Sequence, residues 1–88
     1  MPHYVYLARC SDDSLYCGYT ADVERREERH NQGRGAWYTR LRGPVKIVYT
    51  EEFETKSDAM KREYAVKKLS KKKKELLINN PKIGRAHV

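Results

Sequence analysis

Phenylalanine is almost absent from this chain: one residue, against seven tyrosines. Rings placed only to fill a core need no hydroxyl, because every buried hydroxyl must find a partner. Long apolar runs are also missing. None approaches the length of a membrane span, and no basic-then-apolar segment opens the chain, so neither a membrane helix nor export is expected. The expected location is the cytoplasm. Cysteine is sparse. Cys10 and Cys17 have no metal-ligand spacing and no second pair, which points to two reduced thiols, although adjacent strands would bring them close. There is no Ser-His-Asp pattern, no zinc spacing, no phosphate-binding glycine loop and no internal repeat. Acidic residues are in the minority, 12 against 19 Lys plus Arg, which leaves a net charge of +7. That balance favours a polyanionic partner, nucleic acid first among them. A ribosome-associated or merely basic protein would carry it too.

What is present describes one small α+β domain over 1–80, followed by a flexible tail at 81–88. A chain of 88 residues buries about 60–65% of its unfolded surface, enough for one modest core. His3 to Arg9 alternates and reads as a strand. Ser11-Asp12-Asp13 is a turn signal, and Ser14 to Thr20 reads as the second strand of a hairpin. Asp22 caps a helix from Val23 to about Gln32. After a Gly-rich basic loop from Gly33 to Pro44, Val45 to Glu52 gives a third strand. Thr55-Lys56-Ser57-Asp58 resembles a capping-box start for a helix to Leu69. Ser70 opens a shorter one to about Ile78. The order is ββαβαα, a three-stranded antiparallel sheet flanked by helices.

Strand residues alternate faces. Tyr4, Tyr6 and Ala8 share one face, opposite Val5 and Leu7. Tyr16, Gly18 and Thr20 share another, opposite Leu15, Cys17 and Tyr19. Each strand thus has an aliphatic side and a phenolic side, with Gly18 leaving a gap beside Tyr16. A glycine inside a strand marks a close approach or a bulge. Tyrosine is also an ordinary strand former, so these phenols alone decide nothing. On the first helix Arg26, Glu27 and His30 fall within about 60° of Val23. Leu or Ile would stand there if packing were the only task. On the next helix Leu69, Val66, Ala59, Met60 and Tyr64 form an apolar arc with Glu63 in its middle. A lone carboxylate on a buried stripe is costly unless paired or metal-bound; an ion pair with Lys or Arg is the alternative. Phenols, a guanidinium, an imidazole and a carboxylate converging in one small fold suit phosphodiester hydrolysis. Arg offers a planar fork to phosphate, and one carboxylate with waters and phosphate oxygens suits Mg²⁺ or Mn²⁺.

"YVY" at Tyr4–Tyr6 and "YCG" at Tyr16–Gly18, followed by "ADVERREERHNQG", resemble the GIY-YIG nuclease superfamily, most of all its small stand-alone bacterial members. The resemblance runs from about Tyr4 to Leu69. It implies that Tyr6 and Tyr16 frame the attacking water, one of them as general base, and that Gly18 keeps the strand clear of the substrate. Arg26 would stabilise charge on the scissile phosphate, His30 would assist by hydrogen bonding or proton transfer, and Glu63 would hold one divalent ion, Mg²⁺ or Mn²⁺. The implied activity is a metal-dependent endonuclease in DNA repair or recombination, with nucleic acid, DNA ahead of RNA, as substrate. Glu27 stands where relatives usually carry an apolar residue, which should loosen the packing of its helix. Many relatives have a later Asn in the site, for which Asn79 and Asn80 are available.

Substrate contacts should extend further. Arg34, Trp37, Tyr38, Arg40 and Arg42 mix guanidiniums with aromatics, a combination that stacks bases and binds phosphates; Trp37 would serve equally to anchor its loop. Lys67, Lys68, Lys71 and Lys72 belong to a dense positive run that attracts a nucleic-acid backbone. With no dedicated recognition domain, selection by shape, or with help from a partner protein, is expected over base sequence. A non-catalytic nucleic-acid-binding or interaction module that keeps the fold explains the same charge.

Overall fold

A computed structural model describes residues 2–32 and 44–79. The basic, aromatic segment holding Arg34, Trp37, Tyr38, Arg40 and Arg42 lies outside the described residues, as do Asn80 and the tail at 81–88. Within them the order is β1 (His3–Arg9), β2 (Leu15–Thr20), α1 (Val23–Asn31), β3 (Lys46–Phe53), α2 (Lys56–Lys67) and α3 (Lys71–Asn79). This is the expected ββαβαα succession. The sheet is antiparallel throughout, in the order β2-β1-β3, with Tyr6 opposite Gly18 and Ala8 opposite Tyr16. Pairing of β1 with β3 steps from Leu7↔Tyr49 to Ala8↔Ile47, so Val48 is an extra residue and β3 is bulged there.

Local chemistry sets the element ends. Asp13 turns the hairpin at φ 69°, a left-handed conformation that Asp tolerates better than most residues. Asp12 accepts from the Ser14 amide. Asp22 accepts from the Arg25 amide to start α1, and Thr55 accepts from the Asp58 amide to start α2; Ser70 receives the Lys73 amide at α3.

The central strand buries both of its faces, so the sheet is covered on each side. On one, Val5, Leu7 and Cys17 pack with Tyr49, Ala59, Val66 and Leu77 beneath α2 and α3. On the other, Tyr6, Ala8, Cys10 and Val45 form a smaller cluster beside α1. Both cysteines are buried, on different faces of the sheet, and no disulfide joins them. Among the described residues no helix is long and apolar enough to cross a membrane.

The α2 face differs from its expected composition. Met60 and Tyr64 are exposed, and the inward residues are Ala59, Arg62, Glu63 and Val66. At about 100° per residue the buried arc centres near Ala59 and Val66, Tyr64 stands roughly 160° away, and Glu63 lies on a flank. Arg62 occupies the opposite flank because Glu51 draws it inward. Its Nε and one terminal nitrogen donate to the two Glu51 carboxylate oxygens at 2.8 and 3.0 Å. The Tyr49 hydroxyl donates to the same carboxylate, whose side chain has no exposure at all. The alternation of Tyr49, Glu51 and Phe53 along β3 carries this acid to the α2 side of the sheet, whereas Ile47, before the bulge, packs on the other side.

Glu27 also departs from expectation. It tightens α1 instead of loosening it, because its carboxylate accepts from the Ile47 amide at 2.6 Å. One turn later Asn31 clasps Val45 in both directions, donating to its carbonyl at 3.0 Å and accepting from its amide at 2.6 Å. Two polar residues thereby anchor a helix that has almost no apolar side chains.

Candidate active site

The inner face of α1 reads Val23, Arg26, Glu27, His30, and these four are its half-buried or buried residues from Val23 to His30, while Glu24, Arg25, Glu28 and Arg29 are exposed. The 3.6-residue repeat thus aims a guanidinium and an imidazole at the phenolic side of the hairpin. The Tyr6 hydroxyl and His30 Nε2 lie 2.9 Å apart in a hydrogen bond. Both residues are sealed, at 1% and 2% exposure. The half-buried Tyr16 closes a triangle of rings, its centroid 5.7 Å from that of His30 and 6.3 Å from that of Tyr6. Of the two phenols, only Tyr16 meets solvent.

Gly18 makes this packing possible in a way the sequence does not reveal. A Cβ on Gly18 would lie 2.6 Å from Tyr6 Cζ and 2.9 Å from Cε2. The gap left by the glycine is filled by the Tyr6 ring of the neighbouring strand, and is not an opening for substrate backbone. Gly18→Ala should therefore push Tyr6 off His30. The buried ring has nowhere to relax, so a loss of about 1–3 kcal/mol in stability is expected. In NMR the His30 imidazole should lose its coupling to Tyr6 and shift away from its wild-type position; an unchanged His30 spectrum would contradict the contact.

Electrostatics tie further groups to this pair. Burial raises the Tyr6 phenol far above its ordinary range, with Tyr16 adding to the rise, Arg26 opposing it and Glu63 reinforcing it. Burial holds the His30 imidazole below its ordinary 6.5, with help from the Arg26 charge. The resting pair is a neutral phenol against a neutral imidazole. Arg26 and Glu63 both act on Tyr6 although their helices cover opposite faces of the sheet. Glu63 is also felt at Cys17, whose thiol is pushed up to about 12, chiefly by burial. Cys17 Sγ lies 3.8 Å from the Glu63 backbone carbonyl, as donor to acceptor.

These shifts set a pH window for stability. Tyr6, Cys17 and Tyr49 all hold their protons in the fold beyond the pH at which the unfolded chain releases them. Their contribution is complete below about 9.0, the ordinary value for the first of them to ionise, Cys17, and is lost as pH climbs toward 12. His30 has the opposite sign. Its depressed pKa means that the unfolded chain takes up the proton first, so stability falls as pH drops below 6.5. The urea midpoint should be level between these limits and decline on both sides; a midpoint that holds at about pH 10.5 would contradict the buried phenols.

A family model for the GIY-YIG catalytic domain matches residues 2–76. The chain belongs to the GIY-YIG family. It is 53% identical over 77 residues to a UPF0213 protein of Staphylococcus saprophyticus, covering 88% of this chain and 94% of that one. A UPF0213 protein of Staphylococcus aureus is 55% identical over 76 residues, covering 86% and 93%. The solution structure of a UPF0213 protein from Bacillus halodurans aligns with a TM-score of 0.58 at 53% identity, covering 90% of this chain and 84% of that one. A solution structure from E. faecalis aligns at 0.63 and 47% identity, covering 94% and 88%.

The GIY-YIG nucleases generally use a divalent ion, and one residue here suits that role. The Glu63 side chain is 14% exposed, and the contact it makes with Lys67 is a loose 3.6 Å pair with a side chain 51% exposed. A single carboxylate that reaches water without a tight partner fits a small hard cation that keeps most of its hydration. Among the described residues no group of three His, Cys, Asp or Glu gathers as a cage. Among the described residues the other acids that are not exposed are committed: Glu51 to Arg62, Glu75 to Arg9 at 2.7 Å, and Glu27 to the β3 backbone. Asn79 is exposed at the end of α3.

The lysines divide. Lys71 is bound to Asp13 at 3.0 Å and lies 3.7 Å from Glu75, so its charge is offset by the hairpin turn and by α3 itself. The Lys71 side chain is 52% exposed all the same, and surface pairs of this kind are weak enough to open to a phosphate. Lys67, Lys68 and Lys72 are exposed.

Proposed function

We propose that this chain is a metal-dependent endonuclease that hydrolyses nucleic-acid phosphodiester bonds, DNA ahead of RNA, selecting by structure more than by base sequence. The repair or recombination setting follows from that selectivity. The observation carrying this reading is the sealed Tyr6–His30 hydrogen bond, with Tyr16 packed on it and the charges of Arg26 and Glu63 both acting on the Tyr6 phenol.

The residues divide the work by exposure. Tyr16, the phenol that solvent reaches, would contact the attacking water and, in its phenolate form, take the water proton onto its own oxygen. Tyr6 and His30 lock each other in place and fix the rings around that water. Burial keeps both groups neutral, so the proton stays within the Tyr6–His30 hydrogen bond and the pair acts by holding position. Arg26 brings a permanent charge to the phosphate, where a donor aimed at developing charge contributes about 10²–10³ in rate. Glu63 would hold the single Mg²⁺ or Mn²⁺, which when bound polarises the phosphate and supports the leaving oxygen.

The test is cleavage of branched, nicked and single-stranded substrates across a Mg²⁺ and Mn²⁺ titration. Wild-type protein should cut at least one class only when metal is present, and Arg26→Ala should bind that substrate without cutting it. Binding of every substrate with no cleavage of any would instead establish a non-catalytic binding module.

A further inference from the structure

Tyr64 is the most exposed large hydrophobic residue among those described, at 64%, although the Lys68 ammonium already sits over one face of its ring at 4.0 Å from the centroid. Tyr64 and Met60, one helical turn apart, are both exposed on the outer side of α2. The surroundings narrow the choice of partner. Lys61, Lys67 and Lys68 share the outer face of α2 with it, Met60 at 39% exposure is its apolar neighbour one turn back, and no acid from 60 to 68 points outward, since Glu63 turns toward the sheet. An apolar ring with one ammonium over it, on a helix face that also carries Lys61 and Lys67, is complementary to a polyanion that also carries flat apolar faces.

We infer that Tyr64, flanked by Lys67 and Lys68, is a stacking platform for an unpaired nucleic-acid base, placing a single-stranded segment of the substrate against α2. The inference rests on the nucleic-acid reading given above and deepens it. A base stacks on the open face of the ring, and Lys68 moves from the other face to a phosphate of the same strand. A paired base inside a duplex presents no face to the ring, so the platform serves single strands, flaps or frayed ends. Tyr64 follows Glu63 in the chain but stands about 100° round α2 from it, so a strand held on the platform lies on the outer face of the helix that carries the carboxylate proposed to hold the ion. The substrate class that results carries a single-stranded arm.

The test measures fluorescence anisotropy of a labelled single strand of mixed sequence and of a blunt duplex of the same sequence, with the full chain and with chelator in place of divalent metal. Tyr64→Ala should weaken single-strand binding about tenfold or more and leave duplex binding unchanged, while Tyr64→Trp should restore it. Lys68→Ala should flatten the salt dependence of single-strand binding. Equal single-strand affinity for wild type and Tyr64→Ala, or an equal loss on both substrates, overturns the platform. So does self-association that Tyr64→Ala abolishes with oligonucleotide binding untouched, which would assign the face to a second copy. Cleavage is not read, so a chain that stacks single strands and never cuts sinks the nuclease proposal and leaves this one standing.

Discussion

Glu63→Gln should leave a folded protein that binds nucleic acid and cuts it at least ~10³-fold more slowly, in Mg²⁺ and in Mn²⁺ alike. The substitution keeps the shape of the side chain and removes only its charge. Structure should survive because the Glu63 carboxylate contributes little to the fold: its 3.6 Å contact with the exposed Lys67 is the kind of surface pair worth under about 1 kcal/mol. The affinity of the metal-free protein for nucleic acid should hold or rise, since an acid has been removed from a cationic helix. Circular dichroism and a binding isotherm measured beside the cleavage rate separate these effects. A Glu63→Gln protein that cuts at the wild-type rate would remove the carboxylate from the chemistry.

Arg62→Met should produce the largest loss of stability of any single change considered, about 3–5 kcal/mol. Methionine keeps the length and packing of the arginine stem, so the loss isolates the charge. Glu51 would remain, with no exposure and with Tyr49 as its remaining side-chain donor among the contacts named above. The lower end of that range is the better expectation, because Arg62 is itself 29% exposed and water can follow the side chain in. For a domain of this size that still lowers the melting temperature by at least about 12 °C. The double change Glu51→Leu with Arg62→Met should recover most of the loss, because a dry apolar pair replaces the ion pair without leaving a charge behind. Thermal unfolding of the two variants side by side decides it. Equal instability of both would mean that packing around β3, and not the loss of the Arg62 charge from beside Glu51, is what matters.

The two faces of the hairpin were legible in the sequence because strand alternation is short-range. Tyr6 and Tyr16 fell on one side and Cys17 on the other, as the pairing of Tyr6 with Gly18 requires. The inward aim of Arg26 and His30 was legible for the same reason, from a helical repeat spanning a single turn. The centre of α2 was not. Apolarity misleads there: Tyr64 was drawn into the buried arc by its ring, and Arg62 was left out of it by its charge, although Glu51 lies 11 positions upstream and pulls it in. Long-range pairing of that kind has no local signature. Nor does the filling of the Gly18 gap by a side chain from the next strand, or the use of Glu27 as an anchor for a backbone amide of β3. The relation of Glu63 to the phenols was only partly legible. Its inward turn was expected, but the sheet stands between α2 and α1, so the carboxylate acts on Tyr6 from the other layer.

That arrangement makes the binding of Mn²⁺ followed by NMR the most direct test of the site. Substoichiometric Mn²⁺ broadens the resonances of nuclei close to it. Broadening should be selective for Glu63, Cys17, Gly18 and Tyr16, weaker at Tyr6 and His30, and absent in Glu63→Gln. Broadening confined to exposed acids such as Asp12 and Asp13, or unchanged when Glu63 is replaced, would show that carboxylate and phenols do not share an ion, and the nuclease reading would lose its geometry.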